Sequence, residues 1–167
     1  LFTDSDPTRQ YQYDLDYARI YNNIQSGVET DWLAKPLRNA FSQSHSLSID
    51  GGDERAKYNL GVRYGKDSGV MKGSDRTRLS TNFRLSYNVS GKFFVSNSST
   101  ITSVTNNESP YGDFSDWVKM NPYENPYDAD GKLRSSLYHD ISNPLYDASL
   151  GSYNKTNTLD FLNTTSL

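Results

Sequence analysis

Between Arg55 and Gly65 the chain alternates without a break. Ala56, Tyr58, Leu60, Val62 and Tyr64 are apolar, while Arg55, Lys57, Asn59, Gly61, Arg63 and Gly65 are polar or glycine. A two-residue period sends these sets to opposite faces of one β-strand. The run before it behaves alike. Phe41, Leu47 and Ile49, with Gln43 and His45 between them, share one face, and Ser42, Ser44, Ser46, Ser48 and Asp50 line the other. A row of serines suits a wall that meets water.

Gly51-Gly52-Asp53-Glu54 supplies the turn between these runs. If Gly52-Asp53 is a two-residue loop of type II′, Ile49 faces Ala56, Leu47 faces Tyr58, Gln43 faces Val62 and Phe41 faces Tyr64. Asp50, Ser48 and Ser42 then meet Arg55, Lys57 and Arg63. A one-residue slip would mix the two faces. After a longer connection over 66–77, rich in glycine and charge, a third strand is expected over about 78–89. Leu79, Thr81, Phe83, Leu85, Tyr87 and Val89 form its apolar face. Arg78, Ser80, Asn82, Arg84, Ser86 and Asn88 form the polar one. Ser90-Gly91 turns the chain into a fourth strand, Phe93 to about Thr105, whose Ser/Thr-rich sequence leaves its facing open.

The flanks read differently. Asp6-Pro7 is a helix start, with an N-cap carboxylate and proline in the first turn. Tyr13, Tyr17, Ile20, Tyr21, Ile24 and Val28 then fall on one helical stripe, expected to pack on the parent body. Thr30 is placed to cap a second short helix holding Asp31, Trp32 and Leu33, which Pro36 ends. A long loop over 106–157 contains Ser115 as the cap of a short helix with Trp117, then a turn-dense stretch from Asn121 to Leu133. The organisation expected is a helical segment over 1–40, four antiparallel strands over 41–105, the loop over 106–157 and the start of a further strand over 158–167. Leu1 is not an initiator Met, and the chain stops within the alternating run Leu159, Phe161, Asn163, Thr165, Leu167; it reads as a fragment of a longer protein.

Composition narrows the function. The absence of Cys removes disulfides, Cys-zinc sites and a Cys nucleophile. A net charge of −3 without a Lys/Arg run gives no footprint for nucleic acid. No apolar run is long enough for a transmembrane helix. His45 and His139 lack partners at triad or metal-ligand spacing, so no enzyme is expected. Asp128-x-Asp130-Gly131 echoes part of a calcium loop, but Pro126 precedes it and Leu137 takes the place of the closing Glu, so it reads as a turn. No metal or cofactor is implied. The sequons at Asn88, Asn97, Asn107, Asn154 and Asn163 follow from a chain rich in Asn, Ser and Thr.

About ten alternating residues per strand span about 33 Å. Transmembrane β-strands need about 9 to 11 tilted residues, apolar outside and polar inside, joined alternately by short and long loops. The fold expected is therefore mainly β, long-stranded antiparallel hairpins forming part of a transmembrane β-barrel, with an N-terminal helix and long loops. A soluble sheet with one face on a core explains the alternation equally well, and the polar wall and the loop rhythm less well. In the barrel, Tyr58, Leu60, Val62, Tyr64, Phe83, Leu85 and Tyr87 face lipid, the tyrosines suiting its aromatic girdles. The aromatics of the long loop (Tyr111, Phe114, Trp117, Tyr123, Tyr127, Tyr138 and Tyr146) either contact a ligand or a lid protein, or form the loop's own small core. An isolated piece of barrel would leave its apolar face bare, so cover by the Tyr-striped helix, a second copy or a larger assembly is expected.

Thr30-Asp31-Trp32-Leu33, the run from Phe41 through Ser-Gln-Ser-His-Ser-Leu-Ser-Ile-Asp-Gly to Gly52, and Tyr58 through Tyr64 to Asp67-Ser68-Gly69-Val70 resemble the SusC/RagA-like, TonB-linked outer-membrane proteins of Bacteroidetes. So does Met120-Asn121-Pro122-Tyr123 continuing to Tyr127-Asp128-Ala129-Asp130-Gly131-Lys132-Leu133. The resemblance implies an early part of a many-stranded barrel that imports oligosaccharides or peptides across the outer membrane. It also implies TonB and a SusD-like lipoprotein as partners. The TonB box, plug and C-terminal strand of that family are not in these residues. The other class to weigh is a soluble or secreted all-β glycan-binding module.

Overall fold

A computed structural model describes residues 5–91, 93–137 and 140–167. Five strands dominate it: β1 (Ser42–Gly52), β2 (Ala56–Ser68), β3 (Asp75–Asn88), β4 (Phe94–Asn107) and β5 (Lys155–Ser166). They form one antiparallel sheet in the order β1-β2-β3-β4-β5. The sheet is open, with β1 and β5 as its edges. Residues 39–109 and 153–167 make one compact unit; 1–38 and 110–152 make the other.

The first hairpin corrects the expected register. Leu47 pairs with Val62 and Ile49 with Leu60, so each β1 residue meets a partner four positions further along β2 than a two-residue turn demands. Asp53 is the cause. Its Oδ1 accepts the amides of Arg55 and Ala56, both at 2.8 Å, and its own amide donates to the Ala56 carbonyl at 2.7 Å. That side-chain-closed turn extends β1 through Gly52, whose φ of +132° is open to glycine. Because the displacement is even, the faces stay sorted as the alternation requires.

The β2–β3 connection is also shorter than expected. Both strands run on past the apolar band through Lys66↔Thr77 and Asp67↔Arg76, leaving 69–74 as the loop, closed by Gly69 N donating to Ser74 O at 2.8 Å. Lys66, Asp67, Asp75 and Arg76 sit on paired strands, since backbone pairing continues wherever side chains are free to reach water, and Lys72 lies in the loop. Pairing with β3 settles β4: Val95, Asn97, Ser99, Ile101 and Ser103 share a face with Tyr87, Leu85, Phe83, Thr81 and Leu79. Leu159 and Phe161 of β5 join them opposite Ser103 and Ile101.

In the other unit, α1 (Pro7–Gln25) starts as its sequence demands, Asp6 accepting the Thr8 amide at 2.9 Å. Its inward face is not the tyrosine stripe. Asp16 is buried and Tyr13, Ile20 and Asn23 are half-buried, whereas Tyr17 and Tyr21 are 61% and 51% exposed and stack on each other. Polar anchors turn the helix: Arg19 reaches Glu124 at 3.0 Å, and Asn23 Nδ2 donates to the Tyr123 carbonyl at 2.8 Å. Residues 32–36 form turns rather than a helix. The Thr30 hydroxyl is spent on the Glu124 carbonyl at 2.9 Å, and Asp31 accepts the Ala34 amide instead. Short helices α2 (Phe114–Val118) and α3 (Pro144–Ser149) follow. Asp113, not Ser115, occupies the N-cap of α2.

The core of this unit is Trp32, Trp117 and Leu137, with Tyr111, Met120 and Leu145 against it. Each indole N–H finds a carbonyl at 2.8 Å, Asn121 for Trp32 and Tyr111 for Trp117, as buried tryptophan requires. Asn143 is fully buried and bonds the carbonyls of Pro126 and Arg134, tying the turn-dense stretch to α3.

Candidate functional site

The sheet presents two walls of opposite character. On one, Tyr58, Leu60, Val62, Tyr64, Phe83, Leu85 and Tyr87 lie together with Leu47, Ile49, Leu79 and Ile101. From Tyr87 to Leu79 this band runs about 26 Å along β3. Tyr87 and Tyr58 stand toward its turn end and Tyr64 at the other, beyond which the row Gln43, Lys66, Thr77, Thr105, Asn157 is polar. Within the sheet the apolar side chains of this wall are exposed, Leu47 at 65%. Toward the turn end β4 and β5 interrupt the band with Asn97, Ser99, Asn163 and Thr165. These satisfy one another, Asn163 Nδ2 donating to Ser99 Oγ at 2.6 Å and Asn97 Nδ2 to Thr165 Oγ1 at 2.8 Å.

The opposite wall carries the serines of β1, then Lys57, Asn59, Arg63, Arg78, Ser80, Asn82, Arg84, Thr100, Thr102 and Asp160. Its hydrogen bonds run across strands: Asn82 Nδ2 to Asn59 Oδ1 at 3.0 Å, Asn59 Nδ2 to Asp50 Oδ1 at 2.6 Å, and Ser80 with Thr102 at 3.2 Å.

The loop aromatics divide by burial. Trp117 is fully buried and Tyr111 packs on it with ring centroids 5.8 Å apart, so both build the loop's core. Tyr146 is half-buried. Tyr123, Tyr127 and Phe114 offer exposed rings, and Tyr138 and His139 lie outside the described residues. Asp128 Oδ1 accepts the amides of Asp130 and Lys132 at 3.0 and 2.8 Å, closing a turn. His45 stands in the apolar wall opposite Tyr64.

One constellation gives no signal in the sequence. Arg19 stands between two carboxylates, Glu124 at 3.0 Å and Asp16 at 3.6 Å. Glu124 is 2% exposed, and among the described residues its Oε2 and Arg19 Nε are buried without hydrogen-bond partners. Burial pushes the Glu124 carboxyl above its ordinary value, against the pull of Arg19 and of Arg134. Asp16 and Arg19 also line a cleft of about 580 Å³ with Asp128, Arg134, Ser136 and Asp140. The 105-residue separation of Arg19 from Glu124 hides this group from any local pattern.

No family model matches the chain. Over 67 residues, 40% of its length, the chain is 34% identical to the TonB-dependent receptor SusC of Bacteroides thetaiotaomicron. That match spans 6% of the receptor. The similarity supports a link to a TonB-dependent receptor, in accord with the β-rich fold. Among the described residues no helix is long and apolar enough to cross a membrane, which says nothing of strands.

Proposed function

We propose that this chain is part of a TonB-dependent importer of the outer membrane, its sheet one arc of a transmembrane β-barrel. The single observation that carries the reading is the open apolar wall. It is about 26 Å long, edged by tyrosines and backed by a largely polar wall that Phe94, Val104 and Leu162 interrupt. The apolar band of such barrels is about 25 Å tall with aromatic girdles at both interfaces. Against water this wall would be a contiguous exposed apolar patch, of the kind that marks a contact with lipid or another protein. The similarity to SusC supports the same assignment.

On this reading Tyr58, Leu60, Val62, Tyr64, Phe83, Leu85 and Tyr87 touch lipid and the polar wall faces the aqueous interior. The unit of 1–38 and 110–152 belongs to the loops. Exposed Tyr123 and Tyr127 are its ligand-contact candidates, for an oligosaccharide or peptide nutrient. TonB supplies energy and a SusD-like lipoprotein is the lid. No catalytic step and no cofactor is assigned. Fractionating and floating the host's membranes tests this: the protein is expected to band with the outer membrane. Recovery in the soluble fraction sinks the barrel and leaves the soluble glycan-binding module in its place.

A further inference from the structure

The polar wall holds an unbalanced charge. Lys57, Arg63, Arg76, Arg78 and Arg84 stand on it against Asp50, Asp67 and Asp160, in a chain whose net charge is −3. Two of these arginines converge. Arg63 lies directly opposite Ser80, and Arg78, one row along, bends its Nε to Ser80 Oγ at 3.3 Å. Arg63 and Arg78 both line one trough of about 480 Å³, shared with Ser46, Ser48, Thr100 and Thr102. Gly61 and Asn82 complete its lining, the Asn82 amide lying over the glycine.

The carboxylates do not answer them. Asp50 is taken by Asn59 at 2.6 Å, and Asp160 stands in Arg63's row two strands beyond Ser80. Asp67 is two residues beyond Gly65, the partner of Arg78, and opposite Arg76. Among the described residues neither Arg63 nor Arg78 has an ion pair. Adjacent like charges on a sheet face repel, and a planar guanidinium fork is shaped for a carboxylate. The hydroxyls around the trough add donors for the remaining lone pairs.

We infer that the trough between Arg63 and Arg78 is a carboxylate-binding subsite. A dissolved organic acid and an acidic side chain from elsewhere in a longer polypeptide present the same group, and the test separates them. The site depends on the polar wall alone, whatever covers the apolar one.

The folded protein, purified from whichever cell fraction holds it, is titrated with succinate at low salt by calorimetry. R63Q/R78Q and R63K/R78K are run beside it. If the carboxylate comes from solution, succinate binds the wild type, R63Q/R78Q weakens it at least about tenfold, and the lysine pair falls between. If it comes from the polypeptide, succinate gives no heat. The unfolding midpoint of the wild type and R63K/R78K then falls with added salt, and R63Q/R78Q loses that dependence. Succinate binding equal in the wild type and R63Q/R78Q overturns the site. So does an absence of binding together with the same salt dependence in all three proteins.

Discussion

The amide of Asn82 occupies the space where a β-carbon on Gly61 would stand. The two residues are direct cross-strand partners on β2 and β3, and Asn82 holds its position by donating to Asn59. Alanine in place of a strand glycine ordinarily gains stability. Here Gly61→Ala must push the Asn82 amide aside and break its bond to Asn59. We expect a net loss of about 1 to 2 kcal/mol, as overpacking gives, read from the unfolding midpoint. Adding Asn82→Ala frees the space, so the double variant is expected to recover most of the loss. If Gly61→Ala alone is stabilising, this contact is not the constraint.

Asp53 decides the first hairpin. Its carboxylate accepts the amides of Ala56 and Arg55, which hold its pKa below the ordinary value of 3.8. A depressed acid contributes stability that is present above its unfolded pKa and is lost as pH falls through the folded one. Asp53→Ala is expected to loosen the 53–56 turn at neutral pH, seen as faster amide exchange at Ala56. The difference from wild type should vanish in strong acid. Exchange at Ala56 that is equal in both proteins at neutral pH refutes the cap.

Much of the sheet is legible in local alternation because one parity rule governs every strand pair. Leu47, Val62, Thr81, Ile101 and Phe161 fall in one row by that rule. The register along the strand is another matter. Every even displacement sorts the faces equally, so only the side chain of Asp53 selects among them. On β4, Val95 and Ile101 are too few to declare a face until β3 pairs with them. Helix α1 misleads for a different reason. Its tyrosines form the stripe that periodicity favours, yet the helix is oriented by Arg19 and Asn23, whose partners Glu124 and Tyr123 lie some hundred residues away. The exposure of Tyr17 and Tyr21 follows from those bonds.

Glu124 makes that attachment pH-sensitive. Its carboxyl is raised above its ordinary value of 4.5, chiefly by burial, and Asp16 adds to the rise while Arg19 and Arg134 oppose it. Between the ordinary and the raised value, the folded state keeps a proton that the unfolded state has lost. Stability from this group is therefore full below the unfolded pKa and declines as pH rises through the folded one. Glu124→Gln is expected to flatten the unfolding midpoint over that interval, scanned from about pH 4 to about pH 8. An unchanged profile removes Glu124 as its source.

Trp117 is the keystone of the loop unit, fully buried between Trp32 and Tyr111 with its N–H bonded. Trp117→Ala is expected to remove about 3 to 5 kcal/mol, the cost of truncating a buried tryptophan. Limited proteolysis should then cut within 110–152 while the strands stay protected. Tyr123→Ala and Tyr127→Ala, at exposed rings, should leave the proteolytic pattern unchanged. If Trp117→Ala also leaves it unchanged, the Trp32–Trp117–Leu137 cluster is not what orders the loop.

The apolar wall makes the sharpest demand, because lipid and water rank its positions in opposite ways. Leu60 pairs with Phe83 in the middle row of the band, and Tyr87 stands at its turn end. If the wall faces lipid, Leu60→Arg costs about 2 to 4 kcal/mol, as an arginine at the midplane does, and Tyr87→Arg about 0 to 1 kcal/mol near the interface. The amount of folded protein recovered in the outer membrane should follow that order. Thr102→Arg, on the opposite wall, is expected to assemble as the wild type does. Against water no depth dependence exists, since an arginine at an exposed strand position is well solvated wherever it stands. Equal recovery of Leu60→Arg and Tyr87→Arg would therefore remove lipid as the cover of this wall.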